Sequence, residues 1–197
     1  MKILFATSNK NKAQEIAKLL PPHLEIITLE DLDLKEEIPE TSLTIEGNAI
    51  QKANYITEHF NIDCFADDTG LEVKALNGEP GVHSARYAGD QRSDSDNIDL
   101  LLERLGDFED RSAQFRTVIA LNFSGQQHIF EGIVEGLIRM ERIGNHGFGY
   151  DSVFEPENLG RTFAEMTTTE KNEYSHRARA IAKMITFLES IETHPSK

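Results

Sequence analysis

The chain has 197 residues, 39% of them hydrophobic, and sets 34 acidic against 20 basic side chains for a formal charge of −14. That balance excludes sequence-independent binding to DNA or RNA, which needs a basic face, yet it is compatible with a small phosphorylated ligand held by a few lysines or a metal. A single cysteine, Cys64, excludes an internal disulfide, and no apolar run reaches transmembrane length.

The opening MKILFATSNK turns polar too soon for a signal h-region, so a soluble, cytoplasmic protein without a membrane partner is expected. In that setting the sequon at Asn122 has no role, and Cys64, inside an apolar run, reads as a small core residue. Lys2 to Ala6 predicts a buried strand. Ala13, Ile16, Ala17 and Leu20 recur at helical spacing until Pro21-Pro22 stop the helix. A second strand is predicted over Leu24 to Thr28, followed by the acidic stretch EDLDLKEEIPET, where Pro39 argues for a loop. Ile45, Ala49, Ala53, Ile56 and Phe60 mark an amphipathic helix.

A strand begins at Cys64 to Ala66, and TGLEVKAL reads as a separate short one before the Gly/Pro-rich loop NGEPGVHSARYAGD. Ile98, Leu101, Leu102 and Leu105 give a third helix, with caps available from Ser93 to Asp96. QFRTVIALNF and HIFEGIVEGLI, joined by SGQQ, predict a hairpin. GNHGFGYDSVF is a glycine-rich turn entering a short strand, and Ser175 caps a last helix carrying Ile181, Met184, Ile185, Leu188 and Ile191. The expected fold is a single domain over residues 1–197, an α/β (mixed α+β) protein with a mixed central sheet flanked by helices.

Four segments carry candidate chemistry. TSNKNK, covering Thr7, Ser8, Asn9, Lys10, Asn11 and Lys12, sits where a strand meets a helix. Backbone N–H groups there favour anions and the lysines add charge, although a plain N-cap with solvated lysines fits equally. Asp67-Asp68-Thr69, with Glu40 as a possible partner, supplies hard oxygen ligands suited to Mg²⁺ bound with phosphates, or a base for water. A strand-end turn capped by an aspartate is the other reading. Gly147-Phe148-Gly149-Tyr150-Asp151 offers an aromatic ring for stacking beside a close-approaching backbone, or else a tight turn with core aromatics. Lys171, His176 and Arg177 place donors near a helix start, where a solvated basic face is the alternative; His23, His59, His128 and His194 read as surface or packing residues.

Taken in order, ATSNKNKAQEI, ETSLTIEGNAIQKA, ADDTGLEVKALNGEPGVHSARYAG, GFGYDSVF and RTFAEMTTTEKNEYSHRARA make the chain resemble the inosine/xanthosine triphosphate pyrophosphatase family over almost its whole length. The resemblance implies Mg²⁺-dependent hydrolysis of ITP, dITP and XTP, in preference to ATP and GTP, to the monophosphate and pyrophosphate. It implies an elongated fold with two lobes around a deep cleft, in a homodimer. It assigns Thr7, Asn9 and Lys12 to phosphate binding, with Lys52 nearby and Thr69 where a serine is usual. It assigns Glu40 and Asp68, with Asp67 beside it, to the metal, and Asp68 to catalysis. It assigns Phe148 to Asp151, Lys171, His176 and Arg177 to the purine. Ser8, Ser152, His83 and Asn145-His146 depart from the usual glycine, proline, tyrosine and glycine, which touches the shape of the base pocket more than the charged groups. Pyrophosphatases for modified pyrimidine or 7-methylguanine nucleotides, and a nucleotide sensor without catalysis, are the competing readings.

Overall fold

The computed structural model describes residues 1–197 apart from 33, 35–37 and 194–197, and describes no side chain at 192 and 193. His194 and part of the acidic loop therefore lie outside the described residues. Lys2–Phe5 forms β1, with Ile3, Leu4 and Phe5 all buried, as a strand covered on both faces requires. Asn9 caps α1 (Lys10–Ala17) by accepting from the Lys12 backbone N–H at 3.1 Å. β2 (Glu25–Thr28) runs parallel to β1. α2 (Ile45–Phe60) starts at the Thr44 cap and ends at Asn61, whose left-handed φ of 52° stops the helix.

β3 (Cys64–Val73) pairs parallel with β1, and the rings of Phe5 and Phe65, opposite each other in that register, stack at 4.6 Å. α3 (Asp94–Leu105) is capped by Ser93. β4 (Ser112–Phe123) and β5 (Gln126–Ile138) form the predicted hairpin. Its two turn residues, Ser124 and Gly125, take φ of 50° and 76°, the left-handed pair that matches strand twist in a two-residue turn. β6 (Phe154–Pro156) pairs antiparallel with β5. α4 (Thr168–Tyr174) and α5 (His176–Thr193) complete the described elements. Among the described residues, the strands join in one mixed six-stranded sheet in the order β2-β1-β3-β4-β5-β6, and no helix is long and apolar enough to cross a membrane.

The chain folds into two compact units, each assembled from separate stretches. The first comprises Met1–Asp68, Thr117–Gly132 and Arg177–Lys197; the second comprises Thr69–Arg116 and Ile133–His176. In the first, Ile3, Phe5 and Phe65 of the strands pack with Ile16 of α1 and with Ala180, Ile181, Met184 and Leu188 of α5. In the second, Leu71 and Val73 pack with Ile98, Leu101 and Leu105 of α3 and with Phe115, Phe154 and Phe163.

Three expectations change. The break expected between Cys64–Ala66 and TGLEVKAL does not occur: β3 runs through Asp67 and Asp68, because each acid meets charged or polar partners at its own face. The end of TGLEVKAL, Lys74–Leu76, is a 3₁₀ turn where strand was expected, and the Gly/Pro-rich loop contains another at Gly81–Arg86. An unforeseen helix, α4, precedes the last one. Its start is a capping box, with Thr167 accepting from the Glu170 N–H and Glu170 accepting from the Thr167 N–H at 2.8 Å. Phe65 is fully buried, so Phe65→Ala is expected to destabilise the protein by roughly 3–5 kcal/mol. Urea unfolding measures this, and a loss under about 1 kcal/mol would contradict the packing described.

Candidate active site

Successive residues of a strand point to opposite faces, and that period separates the two adjacent acids of β3. Phe65 and Asp67 face α1 and α5, and Asp67 accepts from Lys12 Nζ at 3.0 Å and from Arg177 Nε at 3.3 Å. Cys64 and Asp68 face α2. The Cys64 thiol donates to the Ala53 carbonyl, and Asp68 accepts from Asn48 Nδ2 at 3.2 Å. Asn48 and Lys52 lie one turn apart on α2 and so share a face. Lys52 Nζ stands 3.8 Å from Asp68 and donates to Glu40 at 2.5 Å. Glu40 precedes two residues stitched to the same helix: the Thr41 N–H donates to Gln51 Oε1 and the Ser42 N–H to Asn48 Oδ1.

The cluster is dry on one side and open on the other. Asp67 is 1% exposed and Arg177 2%, and Arg177 also donates to Glu15 of α1, itself buried. Burial alone would raise the Asp67 carboxyl, but Lys12, Arg177 and Lys52 together outweigh it and hold it at about 2. Burial raises Asp68 as well. There Lys52 and Lys12 pull the other way, while Glu40 and Asp67 add to the rise, and the balance leaves Asp68 above the ordinary aspartate value. For Lys52, burial is outweighed by Asp68, Glu40 and Asp67, so its ammonium is stabilised. Burial lowers Lys12 more than Asp67 can compensate. Three cations thus meet four carboxylates, and the excess negative charge lies at Glu40 and Asp68.

Among the described residues, no group of three or more His, Cys, Asp or Glu side chains is gathered as a metal cage. A Mg²⁺ that keeps its waters and takes phosphate oxygens needs only one or two carboxylates. Glu40 and Asp68, which converge on one ammonium, are chemically suited to that.

The remaining predicted residues divide. Lys10 is exposed and pairs with Glu30 at 3.1 Å; Ser8, Asn9 and Asn11 are exposed around the start of α1, and Thr7 accepts from the Asn9 N–H at 3.1 Å. Thr69 is half-buried on β3. In the second unit, Lys171 Nζ donates to Asp151 at 2.7 Å and lies 4.9 Å from the Phe148 ring centre, so a buried ion pair stands against an aromatic face. Asp151 also accepts from the Phe148 N–H at 3.0 Å. A side chain on Gly147, whose φ is +75°, would collide with that carboxylate. Tyr150 is a core residue whose hydroxyl donates to the Ser84 carbonyl at 2.9 Å, and His176 is buried with its ring stacked on Phe115 at 4.5 Å. Gly149 is half-buried. Sequence reasoning missed Asn48 and Glu15. Their signals are present: Asn48 sits four residues before Lys52 on α2, and Glu15 is an acid beside Ile16 on the buried stripe of α1.

The Ham1 family model matches residues 3–187, and the chain belongs to that family. It is 54% identical over 190 residues to the dITP/XTP pyrophosphatase of Flavobacterium psychrophilum, covering 96% of this chain and 100% of the relative. It is 48% identical to the dITP/XTP pyrophosphatase of Porphyromonas gingivalis, over 95% and 97% of the two chains. Among solved structures, the Staphylococcus aureus Ham1 protein superposes with a TM-score of 0.88 at 39% identity, over 96% of this chain and 99% of that one. The nucleoside-triphosphatase, or dITP/XTP pyrophosphatase, of Mycobacterium abscessus gives 0.76 at 42% identity, over 94% and 99%.

Asp67→Asn leaves Lys12 and Arg177 short of a buried partner and is expected to cost about 3–5 kcal/mol. Because the folded carboxyl is depressed to about 2, its stabilisation is complete above the unfolded carboxyl value and is lost as pH falls toward the folded one. The variant should therefore show a flatter acid limb in unfolding free energy against pH. A wild-type-like limb and a cost under about 1 kcal/mol would refute the pairing.

Proposed function

We propose that this chain hydrolyses non-canonical purine nucleoside triphosphates, namely ITP, dITP and XTP, to the monophosphate and pyrophosphate with Mg²⁺ as cofactor, clearing deaminated purines from the nucleotide pool. The observation that carries this reading is Asp68. It is a carboxylate of raised proton affinity, held by Asn48 and lying 3.8 Å from the Lys52 ammonium, on the strand whose preceding acid holds Lys12. The names of the relatives support the substrate class.

In this reading Asp68 orients or deprotonates a water for in-line attack on the α-phosphorus. Lys12, Lys52 and the N–H groups at the start of α1 meet the charge that grows on the departing pyrophosphate. Glu40 and Asp68 would hold Mg²⁺, which would supply further charge neutralisation on the phosphate oxygens. Asp67 serves the cations, fixing Lys12 and Arg177, and Thr69 follows Asp68 as a further substrate contact. The Lys171–Asp151 pair offers one donor and one acceptor side by side. Hypoxanthine and xanthine present an acceptor oxygen at position 6 and a donor N1–H, whereas adenine presents the reverse, and each mismatched buried group costs roughly 1–3 kcal/mol. Phe148 supplies the stacking face, and His176 packs on Phe115. Homodimer formation rests on the family resemblance and belongs to the same proposal, as does a cytoplasmic setting.

Asp68→Asn is expected to fold normally and to lower kcat for ITP by at least about 100-fold, as loss of a general base does. EDTA should abolish wild-type pyrophosphate release, and Mg²⁺ should restore it. Near-normal turnover in the folded variant, or turnover indifferent to chelation, would overturn the proposal.

A further inference from the structure

Phe148 follows a stretch held by its backbone: the Ile143 N–H donates to the Ser152 carbonyl at 2.8 Å, and the Asn145 and His146 N–H groups donate to the Ala164 carbonyl at 3.1 and 3.0 Å. Residues 144–147 are exposed, and the backbone reverses through left-handed φ at Gly144, Gly147 and Gly149. Two side-chain stitches tie this stretch to the start of α3. At its beginning, Arg142 donates to Asp99 at 3.0 Å and to the Ser95 carbonyl at 2.9 Å. At its end, the Gly149 N–H donates to Asp94 Oδ2 at 2.7 Å. Asp94 occupies the first position of α3, where Ser93 already caps the helix through the Asp96 N–H. Its carboxylate is therefore not the helix cap; it reaches across to a loop amide 55 residues away. A hydrogen bond from a backbone N–H to a carboxylate is stronger than an ordinary N–H to carbonyl hydrogen bond.

We propose that Asp94 is a positioning residue for purine recognition, acting through the Gly149 amide to fix the ring of Phe148 and the turn that presents Asp151. This rests on the reading above that Phe148 stacks on the base. The geometry makes the role specific. Phe148 and Asp151 are already joined by the Phe148 N–H and the Asp151 N–H, so they move as one piece. Lys171 holds that piece from α4 and Asp94 holds it from α3. Arg142 keeps the start of the loop on α3 when Asp94 is lost, so the variant loosens the turn without detaching the segment. Base contacts lie away from the reacting phosphorus and are made equally in the ground and transition states. Weakening them raises KM and leaves kcat alone.

The test uses Asp94→Ala and Asp94→Asn, the second of which keeps an oxygen acceptor. Asp94→Ala should raise KM for ITP about three- to tenfold with kcat within about twofold, and should speed hydrogen exchange of the Gly149 amide. Asp94→Asn should bring both readouts back most of the way. An unchanged KM with unchanged exchange, a fall in kcat at constant KM, or an Asn variant as impaired as the Ala variant would each overturn the proposal. The exchange measurement needs no turnover, so it decides the clamp even if the wild-type protein releases no pyrophosphate from ITP, a result that would instead sink the functional reading.

Discussion

Asp67 lies in the middle of β3 with 1% of its surface exposed. An isolated carboxylate there would take up a proton, because burial disfavours its charge. It stays ionised because Lys12 reaches it from α1 and Arg177 from α5, and Arg177 is balanced by Glu15. The consequence is mechanical as well as electrostatic. Two helices that precede and follow the strand by long stretches of chain are tied to one carboxylate. The lysine proposed to hold phosphate is thereby fixed in place before any ligand arrives.

The pleat then makes the next residue different. Asp68 points to α2, where it finds an amide and a shared ammonium instead of two dedicated cations. One acid is neutralised and serves the scaffold, while its neighbour keeps a raised proton affinity and lies beside the negative excess at Glu40. Adjacent groups with opposite displacements of proton affinity are a recognised mark of functional sites. The second unit repeats the device on a smaller scale. Lys171 and Asp151 neutralise each other in a buried pair, and Gly147 leaves the space that the carboxylate needs.

Much of this is legible in the chain itself. Apolar periodicity marks α2, α3 and α5, and the alternation around Ser124-Gly125 marks the hairpin. The segments around Asn9, Asp68, Phe148 and His176 stand out by composition. The continuity of β3 is hidden, because two adjacent acids look like a strand end until their partners are known. Those partners come from far away: Arg177 is 110 residues from Asp67 and 162 from Glu15. Arg177 reads in sequence as a donor for a base, whereas in the fold its guanidinium grips two carboxylates. Asn48 shares the helix face of Lys52, but only the packing of α2 against β3 shows which acid it meets. The α4 helix was readable from Thr167 and Glu170, but seven residues are too few to show a periodicity.

The central claim is that neighbouring carboxyl groups on one strand are driven apart in proton affinity, one by its cations and the other by its burial beside other acids. Titration of the two side-chain carboxyl carbons by ¹³C NMR in the nucleotide-free, metal-free protein measures this directly. The account predicts that Asp67 remains ionised down to about pH 2 and that Asp68 takes up its proton above the ordinary aspartate value. Two carboxyls titrating together near the ordinary value, or in the reverse order, would contradict it.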